Sequence, residues 1–512
     1  MTDNSQATGL FYETLTKPNL ILVTLAATSV ATLLYKGLVS SNKGAPLPPG
    51  PPPRRFWEKP LPTTNIARTL ADLVTEYGPV VSIRQGSQVT VIIGRTQAAW
   101  EIMEKEGSAL VDRPRSIAVG EILSRGMRIL LERSGDRFRR LRRAVHASLQ
   151  PKAADTYQPI QLENARDVIL DILDDPKGHQ DHARRYAASV ILRVTYGKTT
   201  PTSVNDQEIR RIQKIGRHFQ SAIRPGAYLV ERFPLLRYVP GYTKELDYWH
   251  EEELKLFTEQ VDRVKGEMAK NIAGPSFVKT LVENSDNHQL SDDEMAYLAG
   301  SLFGAGSDTT ANVITTLIMV AACHPEAQAR VQQEIDMVVG RDKLPSFDDQ
   351  DSLPQLQAFV QEALRWRPIT PIGFAHRATR DVIWNGMCIP EGASVIGCHW
   401  AITRDPELFP NPETFDPQRW LTKDGSFRSD IRTFTYGFGR RICPGQHVAN
   451  RSIFINAALL LWSFRMAQNP AAPVNTMAFG DGIIAKALPF EVEFTPRTEE
   501  KVLRGMIRAT AA

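Results

Sequence analysis

Apolar and polar positions alternate from Val80 to Ile93 around Gly86, and this period of two predicts a β-hairpin. From about Ala98 to Leu281 the pattern is mainly helical, with helices predicted at Gly135 to Leu149, Gln161 to Leu173 and Thr243 to Lys270. Ser291-Asp292-Asp293-Glu294 has capping-box spacing and opens a helix that runs to Cys323, where His324-Pro325 stops it. That helix would be roughly 48 Å long. It is apolar on nearly all faces, which predicts burial. Asp308 at its middle and charged segments on either side favour a core helix over a membrane span. Helices are expected at Pro325 to Val339, Leu353 to Trp366 and Gln446 to Phe464, with short strands near Val382-Ile383-Trp384 and Ser394-Val395-Ile396. No βαβ alternation and no internal repeat are visible. The fold class is therefore mainly α with a minor β region (α+β).

The N-terminus adds a second part. Pro18 to Tyr35 is uncharged and mostly apolar, long enough as a helix for roughly 27 Å of bilayer. Lys36, Lys43, Arg54 and Arg55 follow it, so the positive flank places the body on the cytosolic side. A cleaved secretory peptide is the competing reading, and the acidic residues before the stretch count against it. Pro46 to Pro53 then reads as a stiff polyproline spacer, with an SH3-type ligand as the alternative. The expected organisation is a luminal tail (1–17), a transmembrane signal anchor (18–36), a proline-rich hinge (37–55) and a cytosolic body (56–512). This predicts a single-pass endoplasmic reticulum membrane protein.

Composition narrows the body's chemistry. A net charge of +4 over 512 residues, with no zinc-finger spacing, does not point to nucleic acid. Cys323, Cys388, Cys398 and Cys443 lie far apart with no CxxC pair, so neither a disulfide framework nor a zinc site is indicated. Asn450-Arg451-Ser452 reads as a chance glycosylation match.

The most specific segment is Phe434-Thr435-Tyr436-Gly437-Phe438-Gly439-Arg440-Arg441-Ile442-Cys443-Pro444-Gly445. A lone cysteine among glycines, with arginines just before it, suits a thiolate held against a flat, acid-bearing metal cofactor. Haem is one such group, and arginines bind its propionates. Gly439 and Gly445 would leave room for it, and the helix after Gly445 would favour the thiolate. An isolated structural cysteine is the bland alternative.

Two further elements are weak singly. Ala305-Gly306-Ser307-Asp308-Thr309-Thr310 places hydroxyls and an acid inside the buried helix, as a ligand pocket with a proton relay or as a packing notch with satisfied threonines. Glu362-Ala363-Leu364-Arg365 is a common acid–base spacing, and Arg419 in Phe415-Asp416-Pro417-Gln418-Arg419-Trp420 would complete a buried Glu–Arg–Arg brace.

In this order, AGSDTT, ExxR, FxPxR and the cysteine loop closely resemble the cytochrome P450 family over essentially the whole chain. The anchor and proline hinge resemble its microsomal members. Segments 189–197 and 233–241 are similar to fungal secondary-metabolism P450s such as O-methylsterigmatocystin oxidoreductase. The resemblance implies the P450 fold and haem b, with Cys443 as axial thiolate and Thr309 with Asp308 delivering protons. It implies propionate contacts from Arg441, Arg142 and His376, with Arg113 a weaker candidate. Two positions depart from the family pattern. Tyr436 stands where phenylalanine is usual, and Phe138 replaces the tryptophan of WxxxR, so Arg142 is expected to carry more of the propionate binding.

The implied function is a monooxygenase that inserts one oxygen atom of O2 into a C–H bond of a lipophilic metabolite, a terpenoid or polyketide intermediate. No GxGxxG fingerprint follows a strand. Electrons would come from a separate NADPH-cytochrome P450 reductase, with cytochrome b5 as a second donor. Arg139, Arg140, Arg142 and Arg143 would dock it, or Arg139, Arg140 and Arg143 form an ordinary solvated face. Segments 115–131, 219–233, 302–306, 369–374 and 479–484 are the expected cavity lining. The rival readings are an oxygen-independent rearrangement enzyme of the same fold, a haem sensor or carrier, and a hydrolase, for which no GxSxG or HExxH motif exists.

Overall fold

The computed structural model describes residues 44–54, 64–200 and 202–509. Eleven longer helices carry the architecture: α1 (Ile66–Tyr77), α2 (Asp136–Leu149), α3 (Gln158–Asp174), α4 (His179–Tyr196), α5 (Gln207–Ala222), α6 (Lys244–Ala269), α7 (Asp292–Cys323), α8 (Pro325–Val338), α9 (Pro354–Trp366), α10 (Gln446–Ser463) and α11 (Glu500–Ala509). The sheets are small. Strands β1 (Val80–Gln85), β2 (Gln88–Ile93), β3 (His376–Arg377) and β6 (Ser394–Gly397) form one sheet in the order β1-β2-β6-β3. β4 (Val382–Trp384) pairs with β5 (Met387–Ile389), and β7 (Phe464–Gln468) with β8 (Val492–Pro496). The predicted hairpin is β1–β2, antiparallel with Gln85 opposite Gln88.

Helix α7 is the axis of the molecule. Its capping box forms as predicted: the Ser291 hydroxyl accepts from the Glu294 N–H, and the Glu294 carboxylate accepts from the Ser291 N–H. The helix packs along α4 and also against α6 and α10. The core joins Ile169, Tyr186, Ile314, Ile318, Phe359, Leu459 and Trp462 in one cluster. A second cluster joins Leu192, Phe257, Tyr297 and Phe303. Each such side chain contributes about 1.5–3 kcal/mol on burial, so an all-round apolar helix is stable only when enclosed like this.

The predicted anchor at 18–36 and the tail before it lie outside the described residues. Among the described residues no helix is long and apolar enough to cross a membrane, in keeping with α7 as a core helix. The described part of the hinge does not stand off as a free spacer. Pro48 O accepts from Ser82 Oγ at 2.6 Å, Pro49 O from Ser82 N at 2.8 Å, and Pro46 O from Cys388 N at 2.7 Å. Proline donates no N–H, but its extended backbone offers carbonyls that strand residues can use.

One buried group makes the fold pH-sensitive. His179 begins α4 between Phe490 and Phe494, and neither ring nitrogen has a hydrogen-bond partner. Burial pushes its pKa down to about 4. A base depressed in the fold contributes stability above its unfolded value near 6.5, and loses it as pH falls toward 4. Acidification from pH 6.5 to 4 is expected to cost about 3 kcal/mol through this residue. Unfolding midpoints of wild type and His179→Gln across that range check it. The variant's slope should be shallower but not flat, because burial also lowers His399 to about 4.

Candidate active site

The cysteine loop is set by backbone bonds. Cys443 N–H donates to Tyr436 O at 2.8 Å, and Gly439 N–H donates to Glu104 Oε1 at 2.9 Å. Gly439 sits at φ 50°, and a Cβ there would lie 3.1 Å from Met103 O. This turn and this packing each require glycine there. At Gly445 the missing Cβ faces Cys443 Sγ. Tyr436 has the partner its hydroxyl needs, Asn450 Oδ1 at the start of α10.

Cys443 is free and partly accessible. Burial raises its thiol pKa, while the Gly445 N–H and the Arg142 charge pull it back. Three arginines and the neutral His376, linked to Cys443 through Arg142, donate only to backbone carbonyls. Arg113 donates to Leu130 O at 3.1 Å and Ala375 O at 2.7 Å. Arg441 donates to Val111 O and Glu132 O, both at 2.7 Å. Arg142 donates to Ile442 O at 2.5 Å, and His376 Nδ1 to Leu110 O at 2.6 Å. Burial, then the neighbouring Arg441 charge, lowers Arg113 to about 9. Burial lowers Arg441 to about 10, Asp112 and Glu132 oppose the fall, and Arg142 adds to it. Burial, then Arg113, lowers His376 to about 3.

Three arginines that repel one another with no carboxylate in contact form a site completed by an anion, with the neutral His376 beside them. A haem-type group fits this arrangement, with acid side chains for the cations and a metal for the thiol. Among the described residues no cluster of three or more His, Cys, Asp or Glu could hold a metal ion. A single cysteine ligand suits a metal that arrives in its own macrocycle. Phe138 contacts this cluster directly. The Arg441 guanidinium lies 3.5 Å from the Phe138 ring centroid, so the ring face supports that cation.

In the middle of α7, residues 304–310 are partly accessible except Ser307, whereas residues 295–300 and 313–322 are buried. The two readings of AGSDTT divide by residue. A Cβ on Gly306 would lie 2.6 Å from the Ile191 side chain, so Gly306 is a packing notch against α4. Ala305 is exposed, and Thr309 Oγ1 donates to Ala305 O at 2.9 Å. Asp308 and Thr309 share no hydrogen bond. Asp308 Oδ2 instead accepts from Lys486 Nζ at 2.8 Å and from Gln220 Nε2 at 3.5 Å. Nothing in the local pattern around Lys486 marks this pairing.

The brace is present and larger than expected. Glu362 is fully buried and accepts from Arg365 through two bonds of 2.7 Å, from Arg419 at 3.2 Å, from Asp416 N at 2.9 Å and from Trp420 Nε1 at 2.9 Å. Arg365 extends it to Thr403 O and Pro412 O. The brace thus clamps residues 403–420. Arg142, Arg441, Glu104 and Tyr436 hold the cysteine loop itself.

A cavity of about 410 Å³ lies above Arg113, Phe374 and Ala375. Its walls include residues from the expected segments 115–131, 219–233, 369–374 and 479–484, but not 302–306. Asn65 and the first turn of α1, Ile66 to Arg68, complete it, which sequence reasoning missed because α1 lies far from the other motifs.

Comparison with known proteins gives a consistent picture. A family model described as Cytochrome P450 matches residues 48–494. Cytochrome P450 monooxygenase 64 of Postia placenta is 48% identical over 492 residues, covering 96% of this chain and 99% of its own length. Monooxygenase 88 of the same fungus has the same identity and coverage. Monooxygenase claR of Ampulloclitocybe clavipes is 32% identical over 511 residues, covering 94% of this chain and 92% of its own.

Proposed function

The chain belongs to the cytochrome P450 family of monooxygenases, and on that premise we propose that it oxidises a C–H bond of a lipophilic fungal metabolite, a terpenoid or polyketide intermediate. The observation that carries the reading is the free Cys443 thiol in a loop tied to three arginines that lack a carboxylate partner, with His376 beside them. Cys443 would hold the iron of haem b, and Arg113, Arg142, Arg441 and His376 its propionates. When bound, the group supplies activation of O2 with electrons delivered from NADPH.

The chain's own residues do the remaining work. The cavity wall, with Val119, Leu130, Ile223, Phe374, Phe479 and Ile483, binds an apolar substrate and excludes water. Ala305 leaves space on the accessible face of α7. Thr309 holds a proton at Oγ1, and Asp308 carries protons toward it from the side of α5 and the C-terminal segment.

NADPH-cytochrome P450 reductase, with cytochrome b5 as a second donor, would dock on the outer face of α2. Arg139 and Arg143 are exposed there and Arg140 is half-buried, while Arg142 turns inward to Ile442 O. The same helix therefore carries a cationic outer face and touches the cysteine loop. The apolar stretch 18–36 supports a single-pass anchor in the endoplasmic reticulum, with the body in the cytosol.

The test begins with a titration of the haem Soret band against a panel of terpenoids and polyketides. Compounds that shift it are then supplied with reductase and NADPH. Binding without any stimulated NADPH consumption would favour a carrier or sensor instead. In the same assay, changing Arg139, Arg140 and Arg143 to Gln should weaken turnover several-fold and flatten its dependence on salt. Unchanged reductase kinetics would rule out this docking face.

A further inference from the structure

Asp308 is the only carboxylate on the stretch 304–310 of α7, and two separate segments hold it. Gln220 lies in the last turn of α5, just before the cavity wall formed by residues 222–226. Lys486 directly follows the wall that ends at Ala485. The two walls also meet each other, since a Cβ on Gly482 would lie 2.6 Å from Gln220 Oε1.

The backbone carrying Lys486 is fixed on both sides. Gly480 N–H donates to Lys486 O at 2.9 Å, Leu488 N–H to Ala478 O at 2.9 Å, and Ala485 N–H to Ile369 O at 2.8 Å. A shift of the 479–485 wall must therefore move Lys486. The Asp308 side chain is 17% exposed and that of Lys486 38%. A pair this accessible is weak enough to be broken by an occupant pressing on the wall.

We propose that Lys486 is a positioning residue, a latch joining both cavity walls to Asp308, so that filling the cavity sets where this carboxylate points. The latch rests on the reading of Asp308 as a proton carrier. It explains why Asp308 is bonded to the walls and not to Thr309. A specific cavity occupant would then govern proton supply by releasing or keeping the Lys486 bond.

The experiment compares wild type, Lys486→Met, Lys486→Arg, Asp308→Asn and the Lys486→Met/Asp308→Asn double variant as full-length holoenzymes. Hydrogen exchange of amides 480–488 is expected to quicken about 3- to 5-fold in either single loss, the size of a partly exposed ion pair. The double variant should exchange no faster than the single ones, and Lys486→Arg should restore the wild-type rate. The second readout is the solvent isotope effect on peroxide release during substrate-free NADPH oxidation. It should change at least about twofold in Lys486→Met and return in Lys486→Arg. Additive exchange effects would overturn the proposal. So would an isotope effect that stays put while exchange changes, because a merely structural pair behaves that way. The carbon monoxide spectrum of the wild-type protein reports separately on the haem reading. Its failure would leave the exchange comparison intact.

Discussion

Cys443→Ser is expected to abolish the thiolate-type carbon monoxide spectrum of the reduced protein and to cut turnover by at least ~10³-fold, about 4 kcal/mol of barrier. The hydroxyl is a near-isostere, so packing should survive. The loop is held by bonds that do not involve the sulfur: Cys443 N–H to Tyr436 O, Arg142 to Ile442 O and Gly439 N–H to Glu104. What changes is the donor. Burial already opposes ionisation of the thiol, and only the Gly445 N–H and Arg142 counter it. A serine hydroxyl is far harder to deprotonate and cannot push electron density as a thiolate does. The measurement pairs the carbon monoxide difference spectrum with an unfolding curve. A variant that keeps both its fold and the thiolate-type band would overturn the assignment of Cys443.

Glu362→Gln is expected to be the most destabilising single change in the body, at about 3–5 kcal/mol. Glu362 is fully buried and receives bonds from Arg365, Arg419, Asp416 N and Trp420. Replacing one carboxylate oxygen by an amide sets an N–H against these donors and leaves the buried Arg365 without its counter-charge. Total stability of a domain is only about 5–15 kcal/mol, so the yield of folded, haem-loaded protein should fall sharply. Arg419→Ala should cost less, about 1–2 kcal/mol, because Arg419 reaches Glu362 by one 3.2 Å bond and is partly exposed. Denaturant unfolding of both variants checks the order. A loss below about 1 kcal/mol for Glu362→Gln would show that the brace is not a main support.

These two sites were the most legible in the chain because their information is local or carried by strong spacing. The capping box at Ser291, the hairpin at Val80 to Ile93 and the proline after Cys323 are also local signals, and their elements form where expected. The β7–β8 pair was missed although Phe464 and Met466 alternate with exposed Arg465 and Ala467, a period of two that marks a strand. Its partner lies beyond a long loop, so no turn signal joins them. Arg113 is buried at 5% exposure. Its placement comes from Leu130 O, Phe374 O and Ala375 O, supplied by two distant segments, which no local pattern could show.

The same contrast separates what the chain determined alone from what required folding. Periodicity, caps and ordered motifs were enough for a mainly helical body, a free thiol in a glycine- and arginine-rich loop at Cys443, a brace at Glu362 and a polar step in the long helix. Each depends on neighbours a few residues away or on residue types few other chemistries need. Tertiary structure decided the rest: that Gly306 is a notch for Ile191, that Gly439 serves a turn, that Phe138 supports Arg441, and that Asp308 answers to Lys486. These outcomes depend on distance and burial between segments up to hundreds of residues apart. Coulomb and hydrogen-bond energies act over ångströms of space, and sequence separation does not report them.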